Sequence, residues 1–150
     1  MKHFDILLVE DNLAHAEIIK DCLESQNTLL RVHHIPSAVK AIHYLFDEPS
    51  AEFASAIEII NLIILDLKMP GLSGLDILRQ IKENQKTKSI PTVILTSSED
   101  PSDIRQAMRN HANSYLVKPL NYDDFLHLMQ KLKEYWYDID QAKTIFNKPS

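Results

Sequence analysis

Four residues, Leu62-Ile63-Ile64-Leu65, run without a polar interruption and stop on Asp66. A strand that is apolar on both faces must be covered on both, which is the situation of a central strand in a parallel sheet flanked by helices. Comparable runs occur at Ile6-Leu7-Leu8-Val9, Thr92-Val93-Ile94-Leu95 and Tyr115-Leu116-Val117, with Leu30 to Ile35 as a further strand. Between them apolar residues return at helical spacing. The sets are Leu13, Ala16, Ile19 and Leu23; Leu75, Leu78 and Ile81; Ile104, Ala107 and Met108; and Phe125, Leu128, Met129 and Leu132 with Tyr135 or Trp136. This alternation predicts an α/β fold with a doubly wound, five-stranded parallel sheet and helices on both faces.

The segment from Ala38 to Ile60 exceeds one average helix, and Pro49-Ser50 should break it into a helix and a second short helix or ordered loop. After Trp136 the chain turns polar, ending in Asn147-Lys148-Pro149-Ser150. Residues 1–136 therefore read as one domain and 137–150 as a tail that can extend the last helix. A net charge of -5 argues against a nucleic-acid or anionic-membrane surface. The densest basic stretch, Lys82 to Lys88, is interrupted by Glu83 and reads as a solvated helix end. Cys22 is the single cysteine, so no internal disulfide can form, in keeping with a reducing cytoplasm. It falls on the buried side of an early helix as an inert thiol. The N-terminus lacks the apolar stretch of a signal peptide, and no apolar run approaches a membrane span.

What ends each strand is more informative. The first run ends in Glu10-Asp11, the third in Asp66, the fourth in Thr96 and the fifth in Lys118. Open parallel sheets bind ligands beyond the carboxyl ends of their strands, at the switch point in strand order. The second strand ends in Ile35-Pro36 and carries no chemistry, which suits an edge; with the flavodoxin-like order 2-1-3-4-5 the first and third strands flank the switch point. Glu10, Asp11 and Asp66 then sit together, and three clustered carboxylates need a cation. Oxygen donors without His or Cys favour magnesium over zinc. A lysine and a hydroxyl opposite suit an anion with several oxygens, so the combination points to phosphoryl chemistry. An aspartate can itself be the nucleophile, forming an acyl phosphate.

Four motifs in order resemble those of the response-regulator receiver family, over roughly residues 4 to 136. They are Ile6-Leu7-Leu8-Val9-Glu10-Asp11-Asn12, Leu65-Asp66-Leu67-Lys68-Met69-Pro70-Gly71-Leu72-Ser73-Gly74, Ile94-Leu95-Thr96-Ser97-Ser98 and Tyr115-Leu116-Val117-Lys118-Pro119-Leu120. The resemblance implies that Asp66 accepts the phosphoryl group and that Glu10 and Asp11 hold Mg2+, with the Lys68 backbone carbonyl completing the protein ligands. It implies that Thr96 and Lys118 contact phosphoryl oxygens, that Tyr115 is the aromatic whose rotamer reports phosphorylation, and that the Lys118-Pro119 bond is cis. The segment around Phe53-Ala54-Ser55 and the ending Lys133-Glu134-Tyr135-Trp136 further resemble single-domain regulators associated with bacterial and cyanobacterial phytochromes.

Two positions depart from the family's pattern. His111 stands where a glycine is usual before Ala112, and Ser97 replaces the commoner alanine. Ser98 reads more simply as a cap of the helix that Asp100-Pro101 starts. Tyr115 has a plain alternative as a half-buried strand aromatic. His33 and His34 point to opposite strand faces and read as edge residues, not a shared metal site. Trp136 and Tyr137 suit core and partner surface alike.

The expectation is a switch protein and not an enzyme. It takes a phosphoryl group from a histidine kinase, of the phytochrome type by the narrower resemblance, and hydrolyses it slowly. No output domain is expected after residue 136, so output falls to an unidentified protein partner, to a homodimer formed on the face of the fourth helix, fifth strand and fifth helix, or to passing the phosphoryl group onward. A magnesium-dependent phosphohydrolase with an aspartyl nucleophile is a rival reading. Those of the haloacid-dehalogenase type carry a second acid two residues after the nucleophile, and here that position is Lys68. A docking module that works without phosphorylation is the other.

Overall fold

The computed structural model describes residues 3–25, 29–47, 60–138 and 140. Its elements follow in the order β1 (Phe4–Val9), α1 (Leu13–Glu24), β2 (Leu30–Ile35), α2 (Ala38–Phe46), β3 (Ile60–Leu65), α3 (Gly74–Glu83), β4 (Thr92–Thr96), α4 (Pro101–Arg109), β5 (Ser114–Val117) and α5 (Tyr122–Lys133). A π-type turn, Glu134–Asp138, continues α5. The strands form one parallel sheet in the order β2-β1-β3-β4-β5, as the strand endings predict.

Alternation hidden inside the continuous apolar runs builds two cores. Leu7, Val9, Ile63, Leu65 and Ile94 face one way and pack with Ala41 and Leu45 of α2, Ile77, Leu78 and Ile81 of α3, and Ala107 of α4. Ile6, Leu8, Leu62, Ile64, Val93 and Leu95 face the other way and pack with Ala16, Ile19 and Leu23 of α1 and Phe125, Met129 and Leu132 of α5. Period-two side-chain direction in buried strands requires this division. Each helix start has its cap: Asn12, Ser37, Ser73, Asp100 and Asn121 accept a backbone N–H from the first turn.

Several expectations are corrected. Leu13 is 68% exposed, because it is the first residue of α1 and lies outside the buried stripe. Trp136 packs half-buried against the second core, as the spacing allows, and Tyr137 is buried in it, edge-on to Phe4 with ring centroids 5.6 Å apart. The π-type turn adds a residue after Leu132, which moves the inward position to Tyr137 and leaves Tyr135 exposed. Ser98 does not cap α4; Asp100 does, accepting the Ser102 N–H at 2.9 Å, with Pro101 opening the helix. In the Lys82–Lys88 stretch Glu83, Lys86 and Lys88 are exposed as expected, but Lys82 is half-buried and tied down. Its Nζ donates to the carbonyls of Ile90 (2.9 Å) and Lys88 (3.3 Å) and to Asn113 Oδ1 (3.2 Å). There are no cis peptide bonds among the described residues, so Lys118-Pro119 is trans. The lysine is aimed instead by the sheet, its N–H donating to the Thr96 carbonyl at 2.7 Å in continuation of the β4–β5 ladder. The second half of the Ala38–Ile60 segment, with Pro49, Ser50, Phe53, Ala54 and Ser55, and most of the tail lie outside the described residues.

His111 has φ of 66°, the left-handed region where glycine is usual. Its N–H donates to Met108 O at 3.1 Å and that of Ala112 to Ala107 O at 3.0 Å. This is the paired closure of a Schellman motif at the end of α4. The departure noted in the sequence thus falls on the one backbone position there that favours glycine.

Candidate functional site

Register brings the strand endings together. Val9 is level with Leu65, and the Asp66 N–H donates to the Val9 carbonyl at 3.1 Å, so Glu10 and Asp66 emerge side by side. Thr96 is level with Val117, which sets Lys118 just beyond it. Glu10, Asp66, Thr96 and Lys118 are all buried, and Asp11 is half-buried.

Lys118 is the hub. Its Nζ donates to Asp66 Oδ2 at 2.8 Å and to Glu10 Oε1, and it lies 3.0 Å from His15 Nδ1. The second oxygen of Asp66 accepts the Lys68 N–H at 3.1 Å, and the second of Glu10 accepts the Asn12 N–H at 3.2 Å. Glu10, Asp11 and Asp66 each offer an oxygen, and these lie within 4.8 Å of one another. Burial, aided by the charge of Asp66, pushes the Glu10 carboxyl up to about 7 in spite of Lys118. Burial also acts to raise Asp66. There the Lys118 hydrogen bond and charge, the Lys68 N–H and the Thr96 hydroxyl outweigh it and hold Asp66 below the usual carboxylate range. One ammonium facing three carboxylates leaves an excess of negative charge, and the donors are all hard oxygens, so the cluster fits a divalent cation.

On the far side of Asp66 the loops after β3 and β4 are tied together. Lys68 Nζ and Asp103 Oδ2 are 3.0 Å apart, and the Ser98 hydroxyl donates to the same oxygen at 2.6 Å. Tyr115 is half-buried against the first core and its hydroxyl donates to the Ser98 carbonyl at 2.8 Å. Gly74, at the start of α3, abuts the backbone that continues β3. A Cβ built on it would lie 2.3 Å from the Asp66 carbonyl oxygen and 2.6 Å from Leu67 Cα.

Two residues of this neighbourhood escape the sequence reading, His15 and Asp103. His15 is one helical turn beyond Asp11 and Asp103 is in the first turn of α4. The only signal either offers is a polar residue in the first turn of a helix that follows a functional strand end. His33 and His34 stand apart as expected: His33 Nε2 is 2.8 Å from Asp5 Oδ1, which Arg31 also holds, and His34 Nε2 is 2.8 Å from the Glu10 carbonyl. Of the aromatics bordering the expected dimer face, Tyr122 and Tyr135 are exposed and Trp136 half-buried, while Tyr137 is taken up by the core.

No helix among the described residues is long and apolar enough to cross a membrane. The family profile described as "Response regulator receiver domain" matches residues 6–132. The probable methanogenesis regulatory protein FilR2 of Methanothrix harundinacea is 37% identical over 133 residues, covering 89% of this chain and 83% of that protein. Response regulator Rcp1 of Synechocystis is 30% identical, covering 89% and 88%. The crystal structure of the phosphorylated cyanobacterial phytochrome response regulator RcpA superposes with a TM-score of 0.83 at 31% identity, covering 90% of this chain and 94% of that one. The Mn2+-bound form of Rcp1 superposes with a TM-score of 0.78 at 30% identity, covering 89% and 94%. The profile spans nearly everything between the first strand and the end of α5, and this chain belongs to the response-regulator receiver family of two-component signalling.

Proposed function

We propose that Asp66 is the phosphoacceptor of a response regulator and that a histidine kinase is its donor. The observation that carries this is the Asp66 carboxylate itself, kept ionised on the floor of the site between Lys118 and the acid pair. A carboxylate oxygen attacks phosphorus, the P–N bond of the donor phosphohistidine breaks, and the freed imidazole nitrogen takes a proton from solvent. Thr96 and Lys118 neutralise and orient the phosphoryl oxygens. Glu10, Asp11 and Asp66, with the Lys68 backbone carbonyl, hold Mg2+, which supplies positive charge against the incoming anion.

The receiver unit is assigned to residues 1–136 and the tail to 137–150. The protein acts in the cytoplasm as a switch and catalyses only its own phosphorylation and slow dephosphorylation. Its output face is α4, β5 and α5. Thr96 moves toward the phosphoryl oxygens, and Ser98 and Tyr115 follow. Homodimerisation on that face is supported by exposed Met108, Tyr122 and Tyr135. The likeness to Rcp1 and RcpA favours a phytochrome-type kinase as donor. No nucleic acid or membrane is assigned as partner.

Incubation with acetyl phosphate and Mg2+, borohydride trapping and mass spectrometry test the assignment. One label on Asp66, absent in Asp66→Ala, is expected. A label elsewhere overturns it.

A further inference from the structure

The Lys118 ammonium has three N–H groups and three acceptors: Glu10 Oε1, Asp66 Oδ2 and His15 Nδ1. Two of these are the carboxylates that the proposed function assigns to cation and phosphoryl group. Once they are so engaged, His15 is the one acceptor left whose bond to the lysine need not change. We propose that His15 is a positioning residue that keeps Lys118 at the transfer site while the carboxylates change partners, an inference that rests on the phosphoacceptor reading of Asp66.

The side chain is built for such a role. His15 sits in the first turn of α1, where its N–H is capped by Asn12 Oδ1 at 3.0 Å. Its ring lies against Phe125 with centroids 6.1 Å apart, so α1 and α5 fix its direction together. An ammonium can only donate, so Nδ1 must accept and the ring proton must sit on Nε2. Burial and the adjacent lysine charge both disfavour the protonated ring. Neutrality matters to the task. A carboxylate in this place would cancel the lysine's charge, whereas an imidazole anchors the ammonium and leaves its charge for phosphoryl oxygens.

The test compares the full chain with His15→Leu, which keeps bulk against Phe125 but has no acceptor, and with His15→Asn, whose amide oxygen can take the place of Nδ1. Ring 15N shifts should show the Nε2–H tautomer before any phosphoryl group is added. With acetyl phosphate and saturating Mg2+, His15→Leu should be phosphorylated about tenfold more slowly, the weight of one hydrogen bond from a charged donor. His15→Asn should restore most of the rate. A purely structural role would not distinguish the two variants by their acceptor. An Nδ1–H tautomer, a wild-type rate in His15→Leu, or an equal loss in both variants overturns the inference while leaving Asp66 as acceptor. If the wild-type chain takes no label at all, the phosphoacceptor reading fails and this inference fails with it.

Discussion

Lys68 Nζ lies 3.0 Å from Asp103 Oδ2, so the loop that leaves the acceptor strand is tethered to the first turn of α4. The lysine side chain is 63% exposed, and a pair of that kind contributes little to stability. Lys68→Ala should therefore shift the free energy of unfolding by less than about 0.5 kcal/mol. It should nonetheless shorten the life of the acyl phosphate, because the tether spans the gap between the loops after β3 and β4. Urea denaturation and decay of the trapped label measure the two effects. An unchanged lifetime would remove the tether from the account.

Glu10 titrates at about 7 in the folded chain against an ordinary 4.5. Between these values the folded state keeps a proton that the unfolded state releases. Stability of the metal-free protein should thus be full below about pH 4.5, fall as pH rises through about 7, and level off above. Asp5 and Asp66, both held below the ordinary range, act in the opposite sense at lower pH. Denaturation in chelator from pH 5 to pH 8 (roughly the window set by linkage) should show the decline in the natural chain and not in Glu10→Gln.

Asp11 adds a third carboxylate to an already crowded site. Asp11→Asn should raise metal-free stability slightly and weaken Mg2+ binding strongly. Calorimetric titration above pH 7.5, where Glu10 is ionised, would reveal the loss. Equal affinity in the two chains would place the cation elsewhere.

Tyr115 donates to the Ser98 carbonyl, and Ser98 in turn holds Asp103. Removing the phenolic oxygen in Tyr115→Phe should cost about 0.5–1.5 kcal/mol. It should also weaken any beryllofluoride-induced change in self-association, read by sedimentation equilibrium. If the change is as large in Tyr115→Phe as in the natural chain, the hydroxyl carries no part of the signal.

His111 occupies a left-handed backbone position with a side chain that disfavours it. His111→Gly should stabilise the fold by about 1 kcal/mol, visible as a higher unfolding midpoint. Phosphorylation of Asp66 should proceed as before, since the turn closes α4 far along the chain from Thr96.

The fold and the acids were legible in the sequence for one physical reason. In a parallel sheet in register, the residue after each apolar run emerges at the same edge, so Glu10, Asp66, Thr96 and Lys118 could be grouped without knowing a distance. His15 was not legible, because its meaning depends on a lysine 103 residues away and its own helix advertises only Ala16, Ile19 and Leu23. Asp103 looked like a helix-start acid, which it is, and only tertiary placement adds Lys68 and Ser98 to it. Tyr137 was legible only as core or partner surface alike, because regular helical spacing points to Tyr135 or Trp136 and a widened turn is invisible in a hydropathy pattern. The trans bond before Pro119 shows the opposite failing, a family habit carried over where the ladder already aims the lysine.

Gly74 gives the acceptor a direction in which it cannot recoil. Main chain meets main chain there, and no rotamer change can open room between α3 and the Asp66 carbonyl. Lys68, Asp103, Ser98 and Tyr115, by contrast, are joined through side-chain hydrogen bonds, which rotamer changes can rearrange. If Asp66 takes a phosphoryl group as proposed, its main chain cannot shift toward α3, and it is an absent side chain at Gly74 that sets this limit.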